Sequence, residues 1–169
     1  MSAEDVFSFA KEMIDSVMCL REGGHHLQAA MLTYVAIEHM AWLSVEPLRS
    51  GPSDFQEWVD RYMQPYEALP CTARELWEAR NGLLHMGTAE SSANRDSAEI
   101  RRVCYVYGNT PELANKSKGV VFLRVEDLLT SYLTGVHRFL ADLDDNPRKL
   151  EVAKDKLARR LTQRPLSPI

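Results

Sequence analysis

Between Leu27 and Val45 the chain carries apolar residues on two sides of one helix. Leu27, Ala30, Met31, Tyr34, Ala41, Trp42 and Val45 fall along one arc, with Glu38 in its middle, and Leu32, Ala36, Met40 and Leu43 fall along another. A helix that is apolar on one side lies on the surface of a core, whereas one apolar on two sides must be covered from both directions. The pattern therefore predicts a central helix with others packed round it, in an all-α bundle. The 169 residues, 45% of them hydrophobic, suffice for one such core and are too few to suggest two.

The flanking segments supply the covering layers. Ser2 is placed to cap a helix from Ala3 to Arg21, with Val6, Phe9, Ala10, Met13, Val17 and Leu20 on one side, and Gly23-Gly24 stops it. After the Ser50-Gly51-Pro52-Ser53 loop, Phe55, Trp58, Val59 and Tyr62 mark a short amphipathic helix. Leu128, Leu129, Tyr132, Leu133, Val136, Phe139 and Leu140 line a long helix over 125–142, and Asn146-Pro147 opens a last one ending near Leu161. With the helix that follows Pro70, the expectation is a bundle of about five to six helices. The β-branched and aromatic runs at Val103–Tyr107 and Val120–Arg124, separated by a turn-rich segment, predict a small β-hairpin insertion over 103–124. The expected organisation is a helical domain over 1–146, followed at 147–169 by a basic amphipathic helix and tail. There, seven basic residues face Glu151 and Asp155 in a chain of net charge −4.

The helix after Pro70 poses a chemical problem. Thr72-x-x-Glu75 reads as a capping box and Gly87 as a stop. At about 100° per residue, Arg74, Glu78, Asn81 and His85 share a polar stripe, and Leu76, Ala79 and Leu83 the opposite, core-seeking side. Arg80 lies with the apolar group. A guanidinium on such a face must be paired or line a cavity, because burying it alone costs several kcal/mol. Glu38, also on an apolar arc, is the expected partner. Arg80 and His85 stand roughly 140° apart on an ideal helix, so they meet only if the helix deforms at Gly82 or a second copy of the chain supplies the partner.

Other chemistry is thinner. Cys19, His25 and His26 lack a second pair of ligands at metal-binding spacing, so a surface turn is the better account and no metal or other cofactor is expected. The aromatic residues Tyr105, Tyr107 and Phe122 suit the buried face of a hairpin better than a surface for stacking bases. There is no Gly-rich phosphate loop and no Ser/His/Asp signature. Three cysteines at unrelated spacings, with no basic-then-apolar leader before Ser2, predict reduced thiols and a cytoplasmic protein. No apolar run approaches a membrane span.

The Arg80-Asn81-x-x-x-His85 stretch, late in a long helix of a helical chain, resembles the motif of the HEPN superfamily, in which Arg, a polar residue and His stand at Arg-x(4–6)-His spacing. Arg21 to His26 satisfies the same spacing but straddles a Gly-Gly turn. The resemblance covers about Ala3 to Ala93. It implies a HEPN-like helical bundle acting as a metal-independent endoribonuclease on RNA, with Arg80 and His85 catalytic, Asn81 assisting and Glu38 supporting. It further implies a 2′,3′-cyclic phosphate product, a homodimer whose motifs face each other, and a toxin or antiphage defence setting with a possible cognate antitoxin. The residue types suit that chemistry: His moves a proton near neutral pH and Arg holds a fixed positive charge on phosphate. The alternatives are a non-catalytic HEPN-like module that binds RNA, nucleotide or a protein partner, and a helical interaction protein with an accidental match. In either of these Arg80 is half of an ion pair and His85 caps helix-end carbonyls.

Overall fold

Burial of one helix from both sides organises the chain. The computed structural model describes residues 2–88, 91, 99–108 and 119–159. In chain order the elements are α1 (Ala3–Glu22), α2 (His26–Ser44), α3 (Pro52–Trp58), which runs on as a π-helical turn (Val59–Met63), and α4 (Ala73–Asn81), which runs into a second π-helical turn (Gly82–Met86). Strands β1 (Arg102–Val106) and β2 (Val120–Arg124) follow, then α5 (Val125–Asp144) and α6 (Pro147–Leu157). The described chain is thus mostly helical, with six helices and one small two-stranded sheet. Helix α2 packs against α1, α3, α5 and α6. Ala30, Tyr34 and Ala41 from one arc and Ala36, Met40 and Leu43 from the other are all buried. Met31, Leu32, Trp42 and Val45 are half-buried, and Leu27, in the first turn of α2, is 45% exposed.

The helix ends follow local chemistry. Ser2 Oγ accepts from the Asp5 amide while the Asp5 carboxylate accepts from the Ser2 amide, a reciprocal cap on α1. Asp54 does the same for the Gly51 amide at 2.7 Å, with Pro52 in the first turn of α3. Asn146 caps α6, whose Ala153 and Leu157 enter the same core as α1 and α2. Asp142 on α5 accepts from Lys149 of α6 at 2.6 Å and from the Tyr62 hydroxyl, tying three elements together. Leu161 and the rest of the basic tail lie outside the described residues.

The two strands do not form a hairpin. They run parallel, with Val103 opposite Val121 and Tyr105 opposite Leu123. Residues 107–119 supply the connection of about a dozen residues that a parallel pair requires, whereas a hairpin needs only a tight turn. β2 leads straight into α5, and Val103, Val121 and Leu123 are all buried. Just before β1, Arg101 grips Glu75 of α4, with Nε to Oε1 at 2.7 Å and Nη2 to Oε2 at 2.8 Å. The polar loop expected over Thr88–Asp96 lies largely outside the described residues.

Two of these features can be tested by substitution. A methyl group at Gly135 of α5 would sit 2.7 Å from Met63 Cγ and 2.9 Å from the Trp58 ring, so Gly135→Ala should destabilise by about 1–3 kcal/mol in urea unfolding. Burial alone would raise the Glu75 carboxyl, but hydrogen bonds from Arg101 and Thr72 outweigh it and hold the group below the usual carboxylate range. A depressed folded value means the contribution is full above the unfolded carboxylate pKa, about 4.3, and is lost as pH falls through the lower folded one. Glu75→Gln should therefore remove part of the acid-induced loss of stability, measured as unfolding midpoint against pH.

Candidate active site

The cap expected on α4 is present. Thr72 Oγ1 accepts from the Glu75 amide at 3.1 Å and Glu75 returns the contact to the Thr72 amide at 2.8 Å. Leu76, Ala79 and Leu83 face the core. At Gly82 the backbone widens into the π-helical turn, which ends at Gly87 in the left-handed conformation, φ 62°. In a π turn the hydrogen bonds run from residue i to i+5 and each residue turns through less than the 100° of an α-helix, which narrows the angle between side chains on either side of Gly82. Arg80 and His85 are five apart, and Arg80 Nη1 lies 2.8 Å from His85 Nε2. Helix deformation at Gly82 thus brings them together within one chain. The geometric requirement for a second copy is removed.

Glu38 comes to the same place from α2. Arg80 donates to Glu38 Oε2 through Nε at 3.0 Å and through Nη2 at 2.6 Å, the pair that the two apolar arcs predict. The Arg80 side chain is 15% exposed, and its guanidinium lies over the Trp77 ring with Cζ 5.2 Å from the centroid. Its remaining edge turns outward, where Nη1 donates to Asn81 Oδ1 at 3.0 Å and meets His85. Arginine has no acceptor. A hydrogen bond in this contact therefore has His85 Nε2 as the acceptor, which corresponds to the tautomer with its proton on Nδ1. Glu38, Arg80 and Asn81 are half-buried and His85 is exposed, so the four form a site with a fixed base and an open front. Among the described residues His85 bonds to Arg80 and not to a helix-end carbonyl, which removes the capping role.

Other candidates are separated from this site or from each other. His25 precedes the first turn of α2 and His26 opens it. Among the described residues no three His, Cys, Asp or Glu side chains gather as metal ligands would. Tyr105 turns inward and bonds through its hydroxyl to Tyr34 at 2.9 Å, whereas Tyr107 is exposed. Burial pushes the Cys71 thiol up to about 12, too high for a ready nucleophile. No described helix is long and apolar enough to cross a membrane. The Arg101 clamp on Glu75 is not anticipated by the sequence pattern, although Glu75 beside the buried Leu76 carries the same signal of a charge needing a partner as Glu38. Comparison of the chain with family models, with curated proteins and with solved structures gives no match.

The tautomer of His85 is open to spectroscopy. Nitrogen NMR of the neutral protein should find His85 as the Nδ1–H tautomer, and Arg80→Ala should release it toward the Nε2–H form that free histidine prefers.

Proposed function

We propose that this chain is a HEPN-like, metal-independent endoribonuclease in which His85 and Arg80 carry the chemistry. The observation that supports the reading is the 2.8 Å contact between Arg80 Nη1 and His85 Nε2 at an open, half-buried site. It couples a group able to take up a proton to a fixed positive charge, the two functions that attack by a ribose 2′-hydroxyl requires. A π turn within a helix, often found at functional sites, creates that contact. In the proposed step an RNA phosphate takes the place of His85 at Arg80 Nη1. The freed Nε2 accepts the 2′-hydroxyl proton as that oxygen bonds to phosphorus. The 5′-oxygen departs as it takes a proton from water, the product end is a 2′,3′-cyclic phosphate, and His85 returns its own proton to the hydroxide left behind. Glu38 and Trp77 hold the guanidinium in register, and Asn81 orients Nη1.

The HEPN resemblance implies a homodimer with facing motifs, yet the pair is already complete in one chain. Cleavage of mixed RNA in EDTA, with products resolved by end chemistry, tests both points. His85→Ala and Arg80→Ala should each lower the rate by at least about 10²-fold, and Asn81→Ala by less, while chelation changes nothing. Mixing the His85→Ala and Arg80→Ala proteins should restore no activity, because neither chain holds both groups. Restoration would place the site across a dimer. A folded His85→Ala protein that cleaves as well as the parent would end the ribonuclease reading in favour of a binding module.

A further inference from the structure

Three contacts mark one ridge of α2. His26 meets Tyr107, Tyr34 meets Tyr105, and Glu38 meets Arg80. Residues 26, 30, 34 and 38 are spaced by four and lie one above another on an α-helix, so the end of β1 follows the same ridge that leads to the Arg80–His85 site. The two ends, His26 and Glu38, are twelve residues apart, roughly 18 Å at the rise of an α-helix.

At the far end, the Tyr107 ring lies flat on the His26 ring, with centroids 4.8 Å apart and planes 5° from parallel. Tyr107 is nevertheless 65% exposed, the most exposed aromatic residue among those described. One face of the ring is thus backed by a second aromatic and the other is open. The residue after it is also fixed: Gly108 adopts φ 77°, a conformation costly for any other residue, and its amide points to Glu126 of α5. A large ring supported from behind and left 65% exposed gains little from packing. It does offer what an unpaired nucleobase needs, a preformed planar surface on which to stack.

We infer that Tyr107, backed by His26, is a base-stacking platform for single-stranded RNA, gripping a base a few nucleotides from the scissile phosphate. Taking RNA as the ligand rests on the reading of the Arg80–His85 site given above. Stacking is indifferent to base identity, since every base has a π-face, so the platform supplies affinity for unpaired strands rather than sequence preference. A duplex, whose bases are covered, cannot use it.

The test separates binding from cleavage. Fluorescence anisotropy with a labelled single-stranded oligoribonucleotide is measured on the His85→Ala protein, and on that protein carrying Tyr107→Ala or Tyr107→Phe. Tyr107→Ala should weaken binding by about 5- to 150-fold, Tyr107→Phe should retain it, and the slope of affinity against salt should not change, because no phosphate contact is removed. An oligomer of abasic sites should bind equally to the His85→Ala protein with and without Tyr107→Ala. Equal affinity of Tyr107→Ala for the normal strand, a change confined to the salt slope, or no binding of single strands by the parent would each overturn the platform. Binding that depends on Tyr107 in a protein whose wild type never cleaves RNA would uphold the platform and reject the nuclease. Residue 107 is exposed, so its replacement removes little packing, and circular dichroism of each variant checks that the fold is kept.

Discussion

Covering α2 from both sides is the constraint on which the remaining structure depends. Beyond the four covering helices, β1 and α4 reach it through Tyr105 on Tyr34 and Arg80 on Glu38. Glu38 is half-buried on α2, where its carboxylate would otherwise lack a partner. Arg80 answers it from α4 at 2.6 Å. The pair therefore has a structural reason to exist whatever the site does, and its functional interest lies in what it leaves over.

What is left over depends on the π turn. Had α4 continued as an ordinary helix through Gly82–Met86, Leu83 could still have reached the core, but His85 would have faced away from Arg80. The extra residue accommodated in that turn changes the relation between positions 80 and 85 without changing which side is buried. Gly82, itself buried, and Gly87 at positive φ bracket the change. Packing holds the chain on both sides of Gly82, with Leu76 and Ala79 buried before it and Leu83 after it.

This explains which features can be read from the residues. The α4 cap, the core faces of α1, α2, α3 and α5, and the Glu38–Arg80 pair follow from periodicity and from the cost of burying a lone charge, and both are local properties of sequence. The π turn is not readable, because apolar periodicity over five residues cannot distinguish an α from a π register. Strand direction is not readable from the strands either, since Val103–Tyr107 and Val120–Arg124 have the composition of either pairing. The length of the connection over 107–119 is the available signal. Strand composition places Tyr107 on a buried face, whereas its position one residue beyond β1 leaves it free of the alternation that buries Val103 and turns Tyr105 inward.

The donors of Arg80 show how one residue serves both structure and chemistry. Of five N–H groups, Nε and one on Nη2 go to the carboxylate of Glu38, and two on Nη1 go to Asn81 Oδ1 and His85 Nε2. The two sets differ in kind. Charge-assisted bonds to Glu38 are the stronger and lie on the inner edge, shielded by Trp77 and α2. The bonds on the outer edge go to neutral acceptors, which an anion can displace with a gain in electrostatic energy. On the proposed reading, an arriving phosphate would exchange only the outer contacts, and the guanidinium would not have to leave its carboxylate to receive it. On that reading, the same exchange would free the lone pair of His85 when a phosphate is in place beside it, so the resting contact would mask the base until substrate removed the mask.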